Sequence, residues 1–163
     1  MTVSPTEAEW LIRAAGPDDQ SAISALVRSE RLFPYGLGWR TFVVAEAGER
    51  IVGAAQIRNH RDGARELGSL VVTPGWRNRG VAEAIIDTLL AGETGPVHLV
   101  TAAERAPRFT RFGFEKISVS QAPGGLQRHF WLGQVGGGLS QLFSLRRPRS
   151  MVVMRRDGDA SSP

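Results

Sequence analysis

The order strand, turn and helix is set by residues 66–90, which read ELGSLVVTPGWRNRGVAEAIIDTLL. The first seven of these residues are mostly apolar and run into Thr73-Pro74-Gly75, which predicts a strand over Glu66–Val72. Apolar residues then recur at helical spacing and predict a helix over Val81–Leu90 with a broad buried face. Between the two lies a polar turn, RNRG, in which two arginines and a glycine precede the helix.

This turn has the chemistry of an anion site. A helix start exposes main-chain N–H groups and the positive end of the helix dipole, and both favour a phosphate. Gly80 lets the backbone approach closely, Ala82 keeps the first turn small, and Arg77 and Arg79 add charge-assisted donors. The turn predicts a pyrophosphate site or, alternatively, a solvated turn with surface arginines. A P-loop and a dinucleotide fingerprint are excluded because G-x-x-x-x-G-K-[ST] and G-x-G-x-x-G are absent from the sequence.

The flanking sequence predicts a mixed α/β fold with helices on a largely antiparallel sheet. A helix is expected from the Gly16-Pro17-Asp18-Asp19 start to about Ser29, and a short one over Ala106–Phe112. Further strands are expected at Trp10–Ala14, Thr41–Ala45, Ile51–Ile57, Val97–Thr101, Phe114–Val119 and Met151–Met154. Residues 120–150 break the pattern with glycine runs.

Length and composition fit a single globular domain. The chain has 163 residues, of which 42% are hydrophobic and 22% charged. We expect one domain over residues 10–156, with flexible tails at 1–9 and 157–163. The sequence contains no apolar run of transmembrane length and no cysteine, and no signal peptide is expected from its first residues. A cytoplasmic location without disulfides is therefore expected.

The net charge of +4 is concentrated near the C-terminus. Five arginines lie in that region: Arg146, Arg147, Arg149, Arg155 and Arg156. Without them the rest of the chain is slightly acidic, so the net charge argues only weakly for nucleic-acid binding. An alternative hypothesis is binding to nucleic acid or a membrane surface through this region together with Trp131 and Phe143.

Two segments resemble motifs of the GNAT superfamily of N-acetyltransferases. Residues 66–82 resemble its acetyl-CoA-binding motif, which is a strand, a short loop, [Q/R]-x-x-G-x-[G/A] and a helix. Residues 106–114, APRFTRFGF, resemble its A-x-x-[FY]-x-x-x-G-F element. The residues of these motifs are most similar to those of the branch that includes the acetyltransferase domain of N-acetylglutamate synthase. The predicted element order agrees from Trp10 to Val119.

The resemblance implies acetyl-CoA as co-substrate and assigns residues to it, with no metal. The amides of the turn and helix start would hold the CoA pyrophosphate, and the strand end would pair with the pantetheine arm. The Leu70 N–H would stabilise the developing oxyanion of the thioester. The implied cofactor-binding residues are Leu70, Val71, Val72, Arg77, Asn78, Arg79, Gly80, Val81, Ala82, Phe109 and Phe112.

Glu66 is the candidate general base, because acetyl transfer needs a neutral amine and a carboxylate can take its proton directly or through water. It lies eleven residues before Arg77, the spacing of the strand glutamate that serves as base in some GNAT enzymes. Its strand parity matches Leu70 and Val72. The alternative is a glutamate that is solvated, or paired with Arg65 or with an arginine of a neighbouring strand.

Phe109 departs from the family pattern. Many members carry a tyrosine there, whose hydroxyl protonates the departing CoA thiolate. Without that hydroxyl, the enzyme works without the acid, another group supplies it, or catalysis has been lost. His98 is expected to be a partly buried structural histidine. The spacing of the histidines and acids indicates no metal site.

The sequence thus predicts an N-acetyltransferase that acts on the amine of a small-molecule or amino-acid-like acceptor. The alternative is a CoA-binding module of the same fold, weakly active or inactive, with a regulatory role. The apolar residues within 120–150 are expected to be buried against the domain or a second copy, and a partial role in a homodimer interface is the favoured alternative.

Overall fold

The computed structural model describes residues 10–30, 32, 34–128, 130, 131 and 150–158. These residues form seven strands and four helices. The strands are β1 (Trp10–Ala14), β2 (Phe42–Ala47), β3 (Arg50–Asn59), β4 (Arg65–Val72), β5 (Val97–Ala102), β6 (Glu115–Ile117) and β7 (Met151–Arg156). The helices are α1 (Gln20–Ser29), α2 (Val81–Ala91), α3 (Pro107–Thr110) and α4, whose described residues are 124–128, 130 and 131.

Hydrogen bonds join the described strands into one sheet in the order β1-β2-β3-β4-β5-β7-β6. The pairs β1–β2, β2–β3, β5–β7 and β6–β7 are antiparallel, whereas β4 and β5 are parallel, with Arg65 opposite Val97 and Glu66 opposite His98. The predicted fold class, a mixed and largely antiparallel sheet with helices, is therefore confirmed.

The described residues divide into two compact units. The first consists of those up to Ile57 together with Ser69–Gly92. Its core includes fully buried Ile23 and Val27 of α1, whose spacing of four places them on one helix face. These side chains belong to one cluster with Phe42, Val44, Ala54 and Val71 of the strands, and with Ala15. The local apolar pattern thus predicts this helix and its buried face correctly.

A glycine of β3 sets how closely α2 approaches the sheet in this unit. A Cβ on Gly53 would lie 3.0 Å from the side chains of both Val81 and Ile85. Both side chains are buried, at 1% and 0% exposure. The absence of a side chain at this strand position therefore lets α2 pack directly on the β3 backbone.

The second unit consists of Arg58–Gly68 and the chain from Glu93 onward. Strand β7 pairs with β5 from Val97–Arg156 to Ala102–Met151, and with β6 on its other side. A second core cluster joins Ala122, Leu126 and Phe130 to Val153. The final strand predicted at Met151–Met154 is confirmed, and its insertion between β5 and β6 is a new finding.

The boundaries of β6 differ from the predicted ones. The sequence predicts a strand over Phe114–Val119, but the strand is Glu115–Ile117, because a 3₁₀ turn begins at Val119. This turn is fixed by the Ser118 N–H, which donates to the Gln121 side-chain oxygen at 2.9 Å. A local polar cap thus ends the apolar run that indicated a longer strand.

Part of the divergent segment can be placed. Phe130 is buried at 7% exposure, whereas Trp131 is 60% exposed. The remaining apolar residues of that prediction, including Phe143, and the arginines at 146, 147 and 149 lie outside the described residues. The homodimer and the single domain over 10–156 stay predictions. Within the described ranges, no helix has the length and apolar character to cross a membrane.

Candidate functional site

The turn between β4 and α2 has the backbone of an anion-binding concavity. Asn78 and Gly80 both adopt left-handed conformations, with φ of 60° and 77°. Gly80 is the N-cap of α2 and has no side chain to cap the first-turn N–H groups. A Cβ built on Gly80 meets no atom within 4 Å, so the space beside it is open. Successive N–H groups in such a turn, followed by a helix start, form a site that favours phosphate.

Arg77 is oriented by the main chain of β4 and by Glu30, the residue that follows α1. Its Nε donates to the Val72 carbonyl at 2.9 Å, and its Nη2 donates to the Glu30 carboxylate at 2.6 Å. These bonds use two of the five guanidinium N–H donors. The sequence assigned Arg77 to phosphate alone, whereas the structure also gives it a role in fixing the turn.

Arg79, the other arginine of the turn, lies over the Trp76 ring at 5.2 Å from the centroid. This cation–π contact holds the guanidinium on the surface of the turn while its edge stays in solvent. Both predicted arginines therefore lie at the turn with defined orientations.

Strand β4 is interrupted by a left-handed residue at Ser69, with φ of 54°. Such a backbone is uncommon for serine. The Ser69 hydroxyl accepts from Gln56 at 3.1 Å, and Gln56, only 1% exposed, accepts from Thr41 at 2.8 Å. The adjacent residues Val71 and Val72 are both buried, so strict alternation fails. The alternation of side chains that was predicted to place Glu66, Leu70 and Val72 on one face of the strand therefore does not continue past Ser69.

Glu66 is buried in the second unit, at 3% exposure. Its Oε2 accepts from Arg58 Nη1 at 3.2 Å and lies 2.7 Å from His60 Nε2. The sequence left open whether Glu66 is solvated, paired with Arg65 or paired with an arginine of a neighbouring strand. In the structure, Glu66 pairs with Arg58 of the neighbouring strand β3. Arg65 instead binds Glu93, with Nε 2.7 Å from Oε2.

Gly68 provides the space in which Arg58 lies. A Cβ at Gly68 would be 2.8 Å from Arg58 Nη1, closer than a real side-chain atom approaches. The Arg58 side chain is 8% exposed and the Glu66 side chain 4%. Sequence reasoning missed Arg58, although a glycine inside a predicted strand is a signal for such a close approach.

The turn that carries His60 is held against α4. The His60 N–H donates to Ala64 at 2.9 Å, and the Gly125 N–H donates to the Asp62 carboxylate at 2.6 Å. The Gly125 N–H, followed by that of Ala64, lowers the pKa of the Asp62 carboxyl. A Cβ on Gly125 would lie 3.0 Å from His60 Cβ, so α4 packs closely on this turn. The sequence contained no local signal for this long-range contact.

His98 is 5% exposed and stands opposite Glu66 in the β4–β5 register. Burial lowers the pKa of its imidazole below the ordinary value, and a hydrogen bond with the Arg65 main chain partly opposes this effect. The structure thus agrees with the interpretation of His98 as a buried structural histidine.

Phe109 is half-buried on α3 and packs edge-to-face on the fully buried Phe114, with ring centroids 6.3 Å apart. Phe112, also half-buried, lies under Arg111, whose guanidinium carbon is 5.1 Å from the ring centroid. Phe109 and Phe112, which the sequence assigned to CoA binding, therefore both make aromatic contacts within the second unit. Across the part of the chain that the structure describes, no group of three or more acidic or histidine side chains is placed to hold a metal ion.

The comparisons with known proteins agree with these findings. Residues 38–116 match the family model for the acetyltransferase (GNAT) domain. This segment contains β2 to β5 and both motifs of the predicted CoA site.

Solved structures show the same fold. N-acetylglutamate synthase from Neisseria gonorrhoeae, complexed with coenzyme A and N-acetyl-glutamate, superposes with a TM-score of 0.69 at 19% identity over 93% of this chain and 36% of that chain. A Mycobacterium tuberculosis protein in complex with CoA gives 0.66 at 21% identity over 90% and 98%. The ribosomal-protein-S18-alanine N-acetyltransferase from Escherichia coli gives 0.64 at 13% identity over 94% and 97%. The chain spans about a third of the synthase chains and nearly the full length of the other two.

Proposed function

We propose that this protein belongs to the GNAT superfamily and transfers an acetyl group from acetyl-CoA to the amine of a small molecule. Acyl-CoA-dependent N-acyl transfer is the chemistry that the domain match implies. The observation that carries the proposal is the left-handed Asn78–Gly80 turn at the start of α2, with open space beside Gly80. A dianionic pyrophosphate is the ligand that such a helix start and two arginines favour.

The proposal assigns roles along β4 and α2. Amides of residues 77–82 hold the pyrophosphate, and Leu70, Val71 and Val72 receive the pantetheine arm through main chain. Ser69, with its left-handed backbone, precedes Leu70, whose N–H we assign to the thioester oxyanion. When bound, the thioester supplies the electrophilic carbonyl carbon. We assign Glu66 as the general base that takes the proton of the acceptor amine, directly or through water.

An amino-acid-like acceptor is the proposed substrate class. The N. gonorrhoeae synthase was solved with N-acetyl-glutamate and, separately, with L-arginine, and it shares the fold.

A second candidate is a CoA-binding module with little or no turnover, which applies if the protein must protonate the thiolate. The observation that favours it is Phe109, which has no hydroxyl and whose ring packs on Phe114. A thiolate is a good leaving group, so a general acid helps without being obligatory, and we therefore favour slow but real turnover.

A screen for CoA release from acetyl-CoA with amines and amino acids tests the proposal. We expect release that depends on at least one acceptor, and a rise in melting temperature with CoA. Stabilisation by CoA without turnover on any acceptor would instead support the binding module. Absence of both effects would contradict the CoA site itself.

A further inference from the structure

Gln56 is a buried polar residue among apolar neighbours on β3. It is 1% exposed, and Ala54, Ala55 and Ile57 beside it are buried as well. A side-chain amide in such a place destabilises the fold unless its donor and acceptor groups are hydrogen-bonded. An apolar residue would fill the same position without this requirement, so core packing alone does not explain an amide here.

The Gln56 amide connects the residue before β2 to the interruption of β4. Its Oε1 accepts from the Thr41 hydroxyl at 2.8 Å, and its Nε2 donates to the Ser69 hydroxyl at 3.1 Å. The Thr41 hydroxyl also lies 3.1 Å from the Gly38 carbonyl oxygen, so it is held from two sides. Thr41, Gln56 and Ser69 all belong to the first unit. Their side chains form one hydrogen-bonded chain that ends at the left-handed backbone of Ser69.

Strand β3 holds the next residues of β4 at a second point. The Thr73 N–H donates to the Val52 carbonyl at 2.9 Å. Val52 lies four residues before Gln56, and Thr73 lies four residues after Ser69, so the two contacts enclose residues 70–72. The peptide plane between Ser69 and Leu70 contains the Leu70 N–H. The backbone angles of Ser69 therefore set the direction in which this N–H points.

We propose that Gln56 is a positioning residue for acetyl transfer, because its hydrogen bond to Ser69 maintains the left-handed backbone that aims the Leu70 N–H at the thioester oxygen. This role rests on the proposed function, which assigns that N–H to the oxyanion. A left-handed backbone is uncommon for serine and persists only where surrounding contacts hold it. A donor stabilises the oxyanion only when it points at the position where the charge develops. Gln56 acts through Ser69 and not on the substrate itself.

Steady-state kinetics of Gln56→Met test this role, because methionine is of similar length and forms neither hydrogen bond. The oxyanion develops only in the transition state, so kcat and kcat/KM should fall together while the KM for acetyl-CoA stays unchanged. We expect a fall of between about 10-fold and 10³-fold, since loss of an oxyanion donor typically lowers kcat by about 10²–10³-fold. Gln127→Met is the matched control. It removes a hydrogen bond to the Ala122 carbonyl, at 2.7 Å in the second unit, and should keep the wild-type kcat.

Glycine at position 69 separates positioning from a general loss of stability. Glycine adopts left-handed angles without a supporting contact. In a Ser69→Gly background, adding Gln56→Met should therefore lower kcat by less than about threefold, which makes the two changes strongly non-additive. An equal loss in the serine and glycine backgrounds would overturn the positioning role, because a general destabilisation does not depend on the residue at 69.

Thr41→Val provides a second variant at an exposed residue of the same hydrogen-bonded chain. It keeps the shape of the side chain and removes the hydroxyl that holds Gln56. It should lower kcat in the same direction by a smaller factor, and it tests the role even where Gln56→Met fails to fold. A wild-type kcat in Thr41→Val together with one in Gln56→Met would contradict the proposal.

Carbon-13 NMR shifts of the Ser69 backbone test the conformational step without turnover. We expect left-handed values in the wild type and extended values in Gln56→Met. Left-handed values in that variant would overturn the role of Gln56 alone, whatever its kcat. Absence of wild-type turnover with every acceptor would instead overturn the proposed function, and the catalytic role of Gln56 with it.

Discussion

Replacing Gly80 with alanine separates backbone strain from ligand binding. Gly80 has φ of 77°, a conformation that costs an L-residue about 1–2 kcal/mol. The variant should therefore unfold about 2–8 °C below the wild type. Space for the new Cβ exists, because no protein atom lies within 4 Å of it. The methyl group would instead occupy the position that a phosphate approaches.

The expected loss of CoA binding can be given a magnitude. A ligand at about one hundred times its Kd stabilises the folded state by about 2.7 kcal/mol. For a chain of this size, that corresponds to a rise in Tm of about 5–10 °C. If the methyl group weakens binding at least about tenfold, the rise should shrink by about 1.4 kcal/mol or more.

Gly48→Ala is the matched control. Gly48 lies in the β2–β3 turn with φ of 61°, and a Cβ there also meets no atom within 4 Å. Differential scanning fluorimetry with and without CoA should show both variants destabilised and a reduced CoA-dependent rise in Tm only in Gly80→Ala. A full CoA-dependent shift in Gly80→Ala would refute the assignment of the pyrophosphate to this turn.

Three further outcomes are expected. Phe109→Tyr should raise the acetyl-transfer rate by up to about 10²–10⁴-fold with unchanged CoA affinity, measured by steady-state kinetics; no increase would show that protonation of the thiolate is not limiting. Gly68→Ala should lower the free energy of unfolding by about 1–3 kcal/mol in urea, because its Cβ would lie 2.8 Å from Arg58 Nη1; unchanged stability would contradict the close packing. His98→Gln should flatten the pH dependence of Tm. Burial lowers the pKa of His98 in the folded state, so as pH falls through the ordinary histidine pKa, the unfolded chain binds a proton at this residue before the folded protein does. The wild type therefore loses stability as pH falls, and the variant should lose less. An equally steep loss in the variant would count against that burial effect.

Local patterns predicted most of the fold. The apolar face of α2 and the apolar runs of β2 to β5 depend on neighbouring residues, so their elements could be predicted to within one to three residues. The glycine at the start of α2 likewise carried its own signal, since a left-handed N-cap favours glycine. The insertion of β7 between β5 and β6 could not be predicted, because strand order depends on pairing between distant segments.

The site was predicted less completely for the same reason. Glu66 was identified from its spacing, but its contacts with Arg58 of β3 and with His60 of the following turn form only once β3 and β4 lie side by side. The Glu30 partner of Arg77 is 47 residues away in sequence. Ser69 has a left-handed backbone, so side chains do not alternate regularly from Glu66 to Leu70. This conformation is supported by hydrogen bonds that run from Thr41 through Gln56 to Ser69, and no residue within the strand itself indicates it.

Transfer of labelled acetyl is the measurement that tests the central claim most directly. The protein would be incubated with acetyl-CoA labelled in the acetyl group and with the acceptor that releases most CoA, and the products identified by mass spectrometry. We predict a labelled N-acetyl product in the same amount as free CoA, reduced in Gly80→Ala and retained in Gly48→Ala. Release of CoA with the label recovered as acetate, or no labelled amine from any acceptor while CoA still stabilises the protein, would contradict the account.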